Sequence, residues 1–124
     1  MDKRSEAALQ GVHPDLVKIF NRAYTLATVK PVVTEGLRTV ARQRQLVAKG
    51  ASRTMNSRHI TGHALDVAFI FGKEVRWDWP LYKTFADVMK QAAKELSLSI
   101  EWGGDWKSFK DGPHFQLPFN KYPK

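Results

Sequence analysis

The stretch Ser57-Arg-His-Ile-Thr-Gly-His-Ala-Leu-Asp-Val-Ala-Phe69 places His59, His63 and Asp66 just ahead of an apolar run. Two histidines four apart have the spacing of a helical zinc pair. Gly62 lies between them, however, and Val67, Phe69 and Ile70 follow, which is poor helix material. Residues 64–71 suit a strand instead. Leu65, Val67, Phe69 and Phe71 fall on one bulky, core-forming face, and Ala64, Asp66 and Ala68 on the other. Aspartate is unfavourable inside a strand, and metal ligation would give Asp66 a reason to be there.

Outward from this strand the pattern alternates. Pro14 suits the first turn of a helix whose stripe is Leu16, Phe20, Ala23, Tyr24 and Ala27. Pro31 breaks it, and a short strand is expected from there to about Arg38. Thr39 can cap a second helix, which Gly50 would close. Residues 51–58 read as a polar loop. After Pro80 an apolar stripe of Leu81, Phe85, Val88, Met89, Ala92, Ala93 and Leu96 predicts a long helix. Ser99–Trp102 reads as a strand, Gly103–Trp106 as a turn and His114–Leu117 as a closing strand. Helices mixed with short strands predict an α+β fold, a small antiparallel sheet packed with helices.

A chain of 124 residues fits one domain with a modest core. It holds no cysteine, so any zinc site must use His, Asp or Glu. The start lacks the apolar core of a secretory signal and no run reaches membrane-spanning length, so a soluble chain without stable membrane insertion is expected. The formal charge of +8 asks for an anionic partner, nucleic acid or a bacterial envelope. The basic residues are scattered, and no helix-turn-helix, zinc-finger or aromatic RNA-binding signature accompanies them.

A hydrolytic zinc site needs three protein ligands and an open position. Of the four histidines, His13 precedes Pro14 at a helix start and suits a surface or capping role. His114 would share a strand face with Gln116, with Phe115 packed behind. His59 or His63, Asp66 and His114 remain as the possible triad. Trp102, Trp106, Phe109 and Phe115 crowd the same region, where they could shape a substrate cleft or simply pack under the Gly103–Gly104 turn.

Ser57–Asp66 is similar to the S-x-H-x-x-G-x-A-x-D signature of the LAS-type zinc peptidases. The segment Glu101-Trp-Gly-Gly-Asp-Trp-Lys-Ser-Phe-Lys-Asp-Gly-Pro-His-Phe-Gln-Leu117 resembles the second signature of their phage-endolysin branch, the L-alanyl–D-glutamate endopeptidases. The resemblance runs from Val32 to Leu117. It implies the LAS/hedgehog-like zinc peptidase fold and one Zn2+ held by His59, Asp66 and His114. It also implies Asp111 as acid/base, where many relatives carry glutamate, and Arg38 as stabiliser of the oxyanion. Ser57 matches the motif serine, a contact to substrate or to the ligands. Gln116 and Trp106 are expected beside the substrate. His63 falls on a variable position and receives no role. For Arg38 the alternative is a surface ion pair with Glu35.

The expected function is therefore a phage endolysin that hydrolyses the L-Ala–D-Glu bond of peptidoglycan stem peptides. Residues 1–124 would form one catalytic domain without a separate wall-binding domain. The expected protein is a monomer, made in the host cytoplasm, reaching the periplasm and wall through a holin-type pore. The alternatives are a D-Ala-D-Ala dipeptidase or carboxypeptidase of the same family, and a basic nucleic-acid-binding module. The last would leave Asp66 and Asp111, carboxylates unhelpful near phosphate, without explanation.

Overall fold

The computed structural model describes residues 1–52, 55 and 57–123. Its elements are α1 (Lys3–Ala8), α2 (Pro14–Leu26), β1 (Val32–Glu35), α3 (Val40–Ala48), β2 (Ala64–Phe71), β3 (Glu74–Arg76), α4 (Trp79–Glu95), β4 (Glu101–Trp102), a 3-10 turn (Gly103–Asp105) and β5 (His114–Gln116). Of the expected loop 51–58, Arg53, Thr54 and Asn56 lie outside the described residues.

The five strands form a wholly antiparallel sheet in the order β1-β2-β5-β4, with β3 paired to β2 as a hairpin. This is the α+β architecture that the alternating pattern predicts. β2 is its centre because only β2 carries eight residues, enough to pair with three neighbours. One face of the sheet is dry: Leu65, Val67, Phe69 and Phe115 are fully or almost fully buried. They pack against Leu16, Ile19 and Phe20 of α2 and Tyr82, Phe85 and Met89 of α4 in one cluster. Edge-to-face ring pairs join the layers, with Phe85 lying 5.9 Å from Phe20, 6.1 Å from Phe69 and 5.8 Å from Phe115. Such pairs add to what area burial alone contributes.

Two expected core positions are on the surface. Phe71 is 48% exposed because it lies beyond the residues that β1 and β5 cover, where β2 continues only as the hairpin with β3. Leu96 is exposed because it caps α4 rather than extending it. The chain also forms two elements that periodicity does not announce. The hairpin strand β3 is three residues long, too short to alternate visibly. The six-residue α1 has little apolar stripe, yet it closes the edge of the sheet. Asp2 caps it by accepting from the Ser5 N–H at 2.8 Å, and the buried Ser5 hydroxyl accepts the Val33 N–H at 2.9 Å. A donor on the sheet edge is thereby satisfied by a side chain rather than by water.

Phe85 holds both helices to the sheet. Phe85→Ala is expected to cost about 3–5 kcal/mol of unfolding free energy. Denaturant titration measures this; a loss below about 1 kcal/mol would show that the core does not turn on that ring.

Candidate metal centre

The face of the sheet opposite the core carries Asp66. Register decides its neighbours: Asp66 stands opposite His114 on β5 and Glu35 on β1. Gln116, two residues beyond His114, falls on the same face, while Phe115 between them is buried in the core. His59 comes from the turn preceding β2. His59, Asp66 and His114 form a group whose candidate ligand atoms all lie within 4.8 Å of one another. His59 Nε2 is 3.2 Å and His114 Nδ1 is 3.1 Å from the same oxygen, Asp66 Oδ1.

The outer nitrogens of the two rings fix which inner atoms carry lone pairs. His59 Nδ1 lies 2.8 Å from the Gly36 carbonyl, an acceptor only, so Nδ1 carries the proton. His114 Nε2 lies 2.8 Å from Gln116 Oε1. The orientation of that amide is set in turn, because Gln116 Nε2 donates to the Glu101 carboxylate at 3.3 Å. Glu101 Oε2 also accepts the Trp106 indole N–H at 2.8 Å. With both outer nitrogens committed as donors, each neutral ring turns a lone pair toward the Asp66 carboxylate. Three electron-rich atoms facing one another under burial require a cation or an added proton. Two neutral imidazoles and a carboxylate are the donor set of a three-ligand divalent metal site, so the residues fit a metal ion.

Electrostatics follow the same geometry. Burial pushes the Asp66 carboxyl up, but hydrogen bonds from His114 and His59, available once a ring takes up the added proton, outweigh it and hold the carboxyl well below its ordinary value. Burial pushes the His114 imidazole down, and the Asp66 carboxylate more than reverses this, leaving it raised.

The three residues line a cleft of about 710 Å³, together with Arg38, Ser57, Trp106, Asp111 and Gln116. The residues to which the resemblance gives a role thus reach one concavity, whereas His63 lies outside it and Trp102 and Phe115 are buried in the core. Asp111 is half-buried, and burial, followed by the charge of Asp66, raises its carboxyl above the ordinary value. The 3-10 turn lies directly behind it: a Cβ on Gly103 would come within 2.4 Å of the Asp111 carbonyl oxygen. Glycine there is a steric requirement of the Asp111–His114 loop. Ser57 Oγ accepts the His59 N–H at 3.2 Å.

Arg38 does pair with Glu35, through Nε and Nη2 at 2.7 Å each, but this is not a surface contact. The side chain is only 8% exposed, its Nη1 donates to Gln43 Oε1 at 2.7 Å, and its Nη2 lies 3.8 Å from Asp66 Oδ2. Gln43 is fully buried in this role and gives no signal in the sequence, where it is one more polar residue in a helix. Glu101 and the Gly36 carbonyl escape notice for the same reason: their function lies in hydrogen bonds across the fold. His63 is absent from the metal group among the described residues. Its Nδ1 lies 2.7 Å from the Thr61 hydroxyl and its ring 5.3 Å from that of His13. His13 accepts the Asp15 N–H at 3.1 Å and caps α2.

Comparison with known proteins gives a consistent result. The family described as phage L-alanyl-D-glutamate peptidase matches residues 1–117. The L-alanyl-D-glutamate peptidase of Listeria phage A118 is 42% identical over 94 residues, which are 76% of this chain and 32% of that protein. The chain therefore spans about a third of that relative. The L-alanyl-D-glutamate peptidase of Escherichia phage T5 is 35% identical over 117 residues, covering 88% of this chain and 82% of that one. The crystal structure of the Serratia marcescens L-Ala D-Glu endopeptidase ChiX superposes with a TM-score of 0.93 at 48% identity, over all of this chain and 93% of that one.

Gln116→Ala frees the His114 ring and should weaken divalent-metal affinity about 10–100-fold. Competition with a chromogenic chelator measures it, and an unchanged constant would contradict the orienting role. Metal binding also requires a neutral His114, whose raised pKa brings proton competition in at higher pH than for an ordinary histidine. Affinity should therefore begin to fall at higher pH than for a site built on an ordinary histidine, as read in the same titration.

Proposed function

Since the chain belongs to the phage L-alanyl-D-glutamate peptidase family, we propose that it is a zinc-dependent endopeptidase cutting the L-Ala–D-Glu bond of peptidoglycan stem peptides. The observation that carries the metal-dependent reading is the convergence of His59, Asp66 and His114 on one point in a cleft that Asp111 also lines. Zinc held there would supply a Lewis acid and bring the pKa of a coordinated water down to near neutrality.

The chain's own residues account for the rest. Asp111, its carboxyl raised above the ordinary value by burial and by Asp66, is suited as a carboxylate to take a proton from the attacking water. It then returns that proton to the departing amino group of D-Glu as the C–N bond breaks. Arg38 contributes a permanent positive charge beside the ligands, for the oxygen of the carbonyl under attack. Glu35 and Gln43 hold it in place before substrate arrives, which is the condition for electrostatic stabilisation without reorganisation. Gln116 and Glu101 keep His114 in the tautomer that ligation needs. Ser57 fixes the backbone at His59. Trp106, whose ring lies 5.2 Å from that of His114, forms part of the wall against which substrate is held. The relatives' names favour this bond over the D-Ala-D-Ala terminus. Synthesis in a host cytoplasm, release through a holin-type pore and action as a monomer belong to the same proposal.

Digestion of purified sacculi tests the reading. Mass spectrometry should find L-Ala left on the glycan and new D-Glu amino termini, both abolished by chelation. Intact L-Ala–D-Glu bonds, or release of D-Ala alone, would contradict it. Asp111→Asn should retain fold and metal while kcat falls at least about 100-fold. Near wild-type turnover by that variant would remove Asp111 from the mechanism.

A further inference from the structure

The chemistry above makes no use of the ring of Phe109. This residue lies two positions before Asp111, lines the same cleft and is 57% exposed. Its backbone sits at φ +55°, the left-handed region that glycine or asparagine enters readily and a bulky residue only under strain. Such strain persists where the surrounding structure over-determines it, often at a ligand clamp. A second half-exposed ring, Phe119, lines the cleft and rests on the Arg58 guanidinium at 4.0 Å. Arg58 is itself buried and held by the Leu117 and Tyr122 carbonyls, so the Phe119 ring has a fixed seat.

The substrate has two unlike sides. Beyond D-Glu it carries carboxylates and a diamino acid. Before L-Ala it carries the lactyl group of N-acetylmuramic acid, so a sugar ring lies one residue from the bond that is cut. That side presents the lactyl, acetamido and alanyl methyl groups and the C–H face of a pyranose, which half-exposed aromatic rings match. Resting on the peptidase reading above, we propose that Phe109, with Phe119, packs against the N-acetylmuramoyl–L-alanyl side, so that the enzyme reads the sugar as well as the peptide.

The test compares kcat/KM for an N-acetylmuramoyl–L-Ala–D-Glu–diamino acid peptide with that for the same peptide lacking the sugar. Wild type should favour the muramoyl form by about tenfold, the scale of one good aromatic contact. Phe109→Gly should bring the ratio to within about twofold of unity, with Tm unchanged or raised because glycine relieves the positive φ. Phe109→Asn, also tolerated there, should do the same. A ratio that neither variant alters overturns the inference, as does a lowered Tm with equal loss on both substrates. A wild type that digests sacculi without favouring the sugar overturns it too. A wild type that cuts neither the peptides nor sacculi overturns the peptidase reading instead.

Discussion

A carboxylate in the middle of a sheet has to be matched on both neighbouring strands, and Asp66 is. On β5 it faces His114; on β1 it faces Glu35, which in turn holds Arg38. The alternation of β2 ties this arrangement to the core, because Leu65 and Val67 on either side of Asp66 are buried against α2 and α4. A slip of one residue in the register would turn Asp66 into the core and the leucine and valine into the cleft. Hydrophobic burial on one face thereby fixes the geometry of the candidate ligands on the other. The irregularity in β1 between Val33 and Glu35 belongs to the same design, since a local register shift re-aims a side chain. Here that side chain is the one that orients Arg38.

Around this carboxylate the fold supplies hydrogen bonds that commit each ring nitrogen. The Gly36 carbonyl takes one proton, and the Gln116 amide, itself fixed by Glu101 and hence linked to Trp106, takes another. Gln116 and Glu101 stand on β5 and β4, and Gly36 directly follows β1. A site built in this way is organised before substrate or metal arrives. Arg38, locked by Glu35 and Gln43, follows the same logic on the opposite side of Asp66.

Much of this was legible in the sequence where a residue breaks a local rule. Asp66 stands out because aspartate resists a strand interior, and His114 because it alternates with a buried Phe115. The histidine pair His59 and His63 looked helical by spacing alone; Gly62 and the β-branched run behind it told against that. The long helix α4 announced itself through its stripe. What stayed hidden works through distant partners. Ser5 serves the Val33 amide, Gln43 serves Arg38, and Glu101 serves His114 through Gln116, and none of these residues is unusual in its own neighbourhood. Phe71 shows the opposite error, an apolar residue in perfect alternation that runs past the end of the covering layers.

The central claim is that the two histidines present particular nitrogens to one metal ion. Anomalous diffraction from crystals of the zinc-loaded protein, collected on both sides of the zinc edge, tests it directly. The account predicts a single zinc peak within about 2.0–2.2 Å of His59 Nε2, Asp66 Oδ1 and His114 Nδ1, with His63 unligated. A peak coordinated by His63, or by Nε2 of His114, would contradict it.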